Sequence, residues 1–366
     1  MTFARRDKPW VRLLGVVTVA LGFVWAAACD DSEHAAPRSP ARPSAGDGRR
    51  IAQPSARDDS VTAGKTGNQG SAGSFQPTQP TFGSDTSVPR LPALGAEVAQ
   101  PARVGNVRIV VLGDYGSAGL REQQVAELVH ELEPDYVVTT GDNNYPVGAA
   151  STIDDNIGQY FSDFIYPYKG AYPSRATTNR FFPVLGNHDW YTDLAAPYLA
   201  YFTLPGNERY YDVVLGDVHF FALDSDQREP DGTTATSAQA RWLEQGLAAS
   251  KSPFKIVAMH HPPYSSGSHG NTPRMQWPYA EWGADLVLAG HDHCYERLNV
   301  DGITYIVSGL GGVSIYSFAE PEQGSVARYN EQYGVTILEA DADEMRMSFF
   351  DIDRKLVDRS YLRSRR

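Results

Sequence analysis

Aspartate, asparagine, tyrosine and histidine recur in this chain at the ends of short apolar runs, and together they form a set able to hold metal ions. Run 107–113 leads into Asp114. Run 135–141 leads into Asp142, with Tyr145 shortly after in Gly141-Asp142-Asn143-Asn144-Tyr145. Run 181–186 leads into Asn187 and His188, run 254–259 into His260 and His261, and run 284–290 into His291 and His293. Carboxylate, phenolate, amide oxygen and imidazole suit hard-to-intermediate cations. The set contains no thiolate, which argues against a structural zinc cluster.

Each residue has its own chemistry at such a position. Asp142 has lone pairs to spare and could bridge two cations. Tyr145 could coordinate through its phenolate if a strongly Lewis-acidic ion such as ferric iron lowered its pKa; otherwise it is an aromatic lid on a turn. Asn187 offers a carbonyl oxygen without charge. His188 could hydrogen-bond a phosphoryl oxygen, with Asp189 expected to orient its ring. His291 and His293 stand at i and i+2, which on an extended segment puts both on one side. Taken singly, the Asp residues read as helix caps and the histidines as core or surface residues. Concentration decides the matter: of nine histidines, six (His188, His260, His261, His269, His291, His293) fall at or just beyond these run ends. His34, His130 and His219 receive no function.

Runs of this length, rich in Val, Ile and Leu and closed by glycine or a polar residue, read as buried parallel strands. In open α/β sheets the ligand site lies beyond the carboxyl ends of the strands, so segments distant in sequence would deliver their polar ends to one place. Other elements are legible around them. Residues 117–132 read as a helix, 210–225 as a hairpin plus strand, and 334–350 as two late strands by their alternation. Residues 237–250 read as a helix with Trp242, Leu243 and Leu247 buried.

The 366 residues are not of one kind. Residues 1–29 carry Arg5, Arg6, Lys8 and Arg12, then an apolar stretch closing on Ala26-Ala27-Ala28-Cys29, the pattern of an export signal. Three alanines before Cys29 resemble a bacterial lipoprotein signal, which implies a chain lipidated at Cys29 and anchored in the cell envelope. Ordinary cleavage with secretion, or an uncleaved anchor, are the alternatives. Residues 30–103 are rich in Pro, Ser, Gly and Ala, with only Phe75 and Phe82 as aromatics. Such a stretch buries too little apolar surface to offset ordering entropy, and as a coil it would reach about 45 Å. Residues 104–366 are long and apolar enough for one large α/β domain. The formal charge of −12 argues against nucleic acid as the main partner. There are two cysteines, Cys29 and Cys294; Cys294 reads as a small buried hydrophobe.

The series Gly113-Asp114-Tyr115-Gly116, Gly141-Asp142-Asn143-Asn144-Tyr145, Gly186-Asn187-His188-Asp189, Met259-His260-His261-Pro262-Pro263 and Gly290-His291-Asp292-His293 resembles the calcineurin-like metallophosphoesterases. Tyr145 narrows the resemblance to the purple acid phosphatases, and with Tyr305-Ile306-Val307-Ser308-Gly309 it is most similar to the small tartrate-resistant type. The resemblance implies two packed β-sheets flanked by helices, a four-layer sandwich. It implies a ferric ion on Asp114, Asp142, Tyr145 and His293, and a divalent ion (Fe, Zn or Mn) on Asp142, Asn187, His260 and His291. It further implies that His188 contacts the substrate phosphate, and that His269, in Ser266-Gly267-Ser268-His269-Gly270, protonates the leaving group. The expected reaction is hydrolysis of phosphate monoesters by attack of a metal-bound hydroxide. A phosphodiesterase or nucleotide hydrolase on the same centre is the first alternative, and a non-catalytic envelope-anchored binding module the second.

Overall fold

The computed structural model describes residues 105–365. The export signal, Cys29 and the whole of the expected tether fall outside the described residues. The strands in chain order are β1 (Val107–Leu112), β2 (Tyr136–Thr139), β3 (Phe181–Phe182), β4 (Tyr211–Leu215), β5 (Val218–Ala222), β6 (Phe254–Ala258) and β7 (Leu286–Ala289). They continue with β8 (Tyr295–Val300), β9 (Ile303–Ser308), β10 (Ser325–Tyr329), β11 (Gly334–Ala340), β12 (Glu344–Asp351) and β13 (Leu356–Arg363). They form two mixed sheets, ordered β13-β12-β11-β1-β2-β3 and β10-β8-β9-β7-β6-β5-β4.

The strands read as buried and parallel are so. β1, β2 and β3 run parallel in the first sheet, and β5, β6, β7 and β9 in the second. All six residues of β1 are buried, as a strand covered on both faces requires. β3 keeps only two residues because Pro183 cannot donate to the ladder. Residues 210–225 give a hairpin of β4 and β5, antiparallel from Tyr211 opposite Ala222 to Leu215 opposite Val218, without a third strand.

Side chains of the second sheet alternate with period two between two layers. Phe220, Ile256, Leu286, Leu288 and Ile306 join the core shared with the first sheet. Phe221, Val257, Val287 and Val307 face an outer cluster with Leu243 and Leu247 of the helix Ala238–Ala249. Trp242 is only half-buried, at the edge of that cluster. Ser237 caps this helix, its hydroxyl accepting from the Ala240 amide at 3.1 Å. The helix Leu120–Glu131 covers the first sheet through Val125, Leu128 and Val129. The order is helix, sheet, sheet, helix, the four-layer sandwich expected.

An aromatic stack joins the sheets. Phe349 of β12 lies flat on Tyr295 of β8 at 4.3 Å and meets Tyr329 of β10 at 5.9 Å. Phe349 is fully buried, so Phe349→Ala leaves a cavity between the layers and is expected to cost about 3–5 kcal/mol of stability. Urea unfolding followed by tryptophan fluorescence measures this; a loss below about 1 kcal/mol would show that the stack does not hold the sheets together.

Candidate metal centre

The strand ends converge. Asp114 follows β1, Asp142 and Tyr145 follow β2, and Asn187 follows β3. His260 follows β6, and His291 and His293 follow β7. Asp114, Asp142 and His291 adopt left-handed backbone, with φ of 57°, 52° and 68°. Residues other than glycine rarely do so, though Asp, Asn and His tolerate it best, and such strain concentrates at functional sites. The glycines before Asn187 and His291 have a steric cause. A Cβ on Gly186 would lie 2.2 Å from the Asp142 amide nitrogen and Oδ1, and one on Gly290 2.6 Å from Asp114 Oδ2.

All seven residues read as metal ligands meet in one cluster. Tyr145 Oη donates to Asp142 Oδ2 at 2.9 Å and lies 3.3 Å from both Asp114 Oδ1 and His293 Nε2. His260 Nε2 lies 2.9 Å from Asn187 Oδ1, 3.2 Å from His291 Nδ1 and 3.3 Å from Asp142 Oδ2. Ligand atoms of Asp114, Asp142 and His260 fall within 4.8 Å of one another, and all three residues are buried. Asp142 reaches both halves of the cluster.

The donor set fits cations. His260 Nδ1 donates to the Thr140 carbonyl at 2.8 Å, so the neutral ring turns only a lone pair, on Nε2, toward its neighbours. The Asn187 amide donates to Tyr191 Oη at 3.0 Å, so its oxygen faces that lone pair. With His260 neutral, its Nε2 lone pair, Asn187 Oδ1 and Asp142 Oδ2 are three acceptors about one point, an arrangement that a cation would neutralise. The charge balance agrees. Burial opposes protonation of His260, yet the Asp142 and Asp114 carboxylates outweigh it and push its pKa up to about 10. Burial and the same two carboxylates push the Tyr145 phenol well up, so only a strongly Lewis-acidic cation would draw a phenolate from it.

The remaining residues line the cleft. His188 donates its backbone amide to Asp142 Oδ1 at 2.9 Å, and its ring lies 4.3 Å from that of Tyr145. Its Nδ1 donates to the Pro146 carbonyl at 2.6 Å, leaving Nε2 3.9 Å from Asp142 Oδ2. Asp189 does not orient this ring. It turns inward and accepts from the amides of Gly186 and Asn143 and from the Asn143 side chain. Burial and the nearby Asp142 push its pKa up to about 7. The exposed His269 places its ring 4.2 Å from that of His291. The buried Asp292 anchors the His269 loop, accepting from the His269 amide and the Ser265 hydroxyl. The left-handed His291 shows that 291–293 is not extended; the turn, not strand alternation, brings both histidines inward.

Several contributors have no signal in the sequence pattern. Ser314 Oγ meets His293 Nδ1 at 2.6 Å, and Tyr316 stacks flat on the same ring at 4.0 Å. Arg228, paired with Asp226, donates to the Asn187 carbonyl at 3.2 Å and sits over Tyr191. Of the unassigned histidines, His34 lies outside the described residues, and the other two make structural contacts. His130 meets the Tyr160 carbonyl, and His219 bridges Asp212 and Ser250. Cys294 is buried and unpaired in the outer cluster, as expected.

Residues 107–295 match the family model of the calcineurin-like phosphoesterases. The chain belongs to that family. It is 28% identical over 250 residues to purple acid phosphatase 17 of Arabidopsis thaliana, covering 58% of this chain and 70% of that protein. It is 25% identical over 243 residues to tartrate-resistant acid phosphatase type 5 of Mus musculus, covering 56% and 72%. Purple acid phosphatase PPD1 from seeds of yellow lupin (Lupinus luteus) shares the fold, with a TM-score of 0.56 at 20% identity over 71% of this chain and 54% of that one. GAP50, the anchor in the inner membrane complex of Plasmodium, does so with a TM-score of 0.56 at 16% identity over 71% and 89%. This calcineurin-like phosphoesterase is a metal-dependent phosphoester hydrolase.

Proposed function

We propose that this phosphoesterase carries two ions and hydrolyses phosphate monoesters. The observation that carries the reading is the ring of lone pairs around His260 Nε2, continued through Asp142 to a second group of acceptors. Asp114, Asp142, Tyr145 and His293 would hold one ion, ferric in this reading. Asp142, Asn187, His260 and His291 would hold a divalent partner (Fe, Zn or Mn). When bound, the ions supply Lewis acidity, which stabilises charge on phosphoryl oxygens and lowers the pKa of water.

The chain supplies position and protons. His188 has committed Nδ1–H to Pro146, so only a ring that also carries a proton on Nε2 can donate to a phosphoryl oxygen. His269 stands on the exposed lip, where it can pass a proton to the departing alkoxide. Thr140, Ser314 and Tyr191 hold the donor atoms in place, so little reorganisation accompanies reaction. The same reading exports the enzyme and anchors it to the membrane through Cys29.

The test is metal analysis together with a panel of monoesters, diesters and nucleotides. Two equivalents per chain and a preference for monoesters are expected. Concentrated loaded protein should show a visible tyrosinate-to-iron band that Tyr145→Phe abolishes. A band that persists in the variant would refute the Tyr145 assignment, and preference for diesters or nucleotides would redirect the substrate.

A further inference from the structure

We propose that His261 is a hydrogen-bond donor to the substrate's phosphoryl group, and that Ser225 is the positioning residue that sets it to donate. The inference rests on the phosphoesterase reading above and adds a substrate contact to it. Ser225 lies just beyond β5 and His261 just beyond β6, neighbouring parallel strands that end at the cleft.

Counting hydrogens fixes the ring. The His261 backbone amide donates to Ser225 Oγ at 2.8 Å, and the same oxygen lies 2.9 Å from His261 Nδ1. A serine hydroxyl has one hydrogen to give. Among the described residues, the only acceptor within reach of it is Nδ1. Were Nδ1 to carry a hydrogen and donate to Oγ, the hydroxyl hydrogen would have no acceptor there. Ser225 therefore donates to Nδ1, and the ring is the neutral tautomer with its hydrogen on Nε2.

That Nε2–H has no acceptor among the described residues, and His261 is half-buried rather than sealed. The ring stands 4.5 Å from His291 and 5.1 Å from His260, two members of the metal cluster. It thus offers a fixed N–H at the edge of the site where a phosphoryl oxygen would sit. His188 is wired the opposite way. Its hydrogen is held by Pro146 on Nδ1, so neutral His188 can only accept from Nε2. The two rings differ in what they offer a phosphate, and only His261 donates without acquiring charge.

The experiment is calorimetric titration of the metal-loaded full chain with inorganic phosphate, with KM and kcat measured beside it. His261→Asn removes the donor at Nε2, because its amide reaches only the Nδ1 position. His261→Gln places an amide N–H near Nε2. Phosphate affinity is expected to fall about ten- to a hundredfold in His261→Asn, with metal content unchanged and KM affected more than kcat. His261→Gln should recover most of it. Ser225→Ala should weaken phosphate in the same direction, and Ser225→Thr, which keeps the hydroxyl, should restore it. Unchanged phosphate affinity in His261→Asn, or equal loss in the asparagine and glutamine variants, overturns the proposal. Absence of metal or turnover in the parent chain would instead fault the phosphoesterase reading beneath it.

Discussion

Asp142→Asn is expected to lose both metal equivalents and about a thousandfold or more of turnover, in a chain that remains folded. The substitution is chosen for the backbone. Residue 142 holds φ at 52°, and asparagine tolerates that region nearly alone among residues of similar size. The amide oxygen can still accept from the His188 backbone, which meets Oδ1 at 2.9 Å, while the amide nitrogen, in place of Oδ2, can donate to Tyr145 Oη. What disappears is the charge, and with it one of the two oxygens able to join both halves of the cluster. His260 then loses the first of the carboxylates that hold a positive charge beside it. Mass spectrometric metal analysis after desalting, with turnover on a monoester, checks this. Two retained equivalents, or activity within tenfold of the parent, would show that Asp142 is not shared.

His188→Ala tests the other half of the site, the part that faces substrate. It is expected to lower kcat about a hundred- to a thousandfold while both metal equivalents remain. The ring contributes no atom to the cluster itself: its nearest approach to Asp142 is 3.9 Å. Only its backbone amide supports that carboxylate, and alanine keeps the amide. Loss of metal in the variant would reassign His188 to the scaffold, and unaltered kcat would remove it from the reaction.

The clustered residues were legible because buried parallel strands write themselves as unbroken apolar runs, and their ends are where the polypeptide can present side chains. Where that signal is missing, the sequence was silent. β13 (Leu356–Arg363) is an edge strand with largely exposed and half-buried residues, so it carries no apolar run. Asp189 was misread because neighbours on a helical turn point about 100° apart. With His188 facing the cleft, Asp189 faces the core. His291 and His293 were placed on one side for the wrong reason, since the left-handed turn at His291 replaces strand geometry. Ser225, Ser314, Tyr191, Tyr316 and Arg228 act from loops through a few contacts each. Serine, tyrosine and arginine occur in any loop, and nothing in their spacing marks these.

The residues that would grip the ions come from both β-sheets: Asp114, Asp142, Tyr145 and Asn187 from the first, His260, His291 and His293 from the second. Bound cations would rivet the layers at a seam otherwise closed by apolar packing. By mass action, free cation at about a hundred times its dissociation constant adds roughly 2.7 kcal/mol to the folded form. Resistance to heat and proteolysis would then track metal supply, so starvation for metal would silence the catalyst and loosen its architecture together.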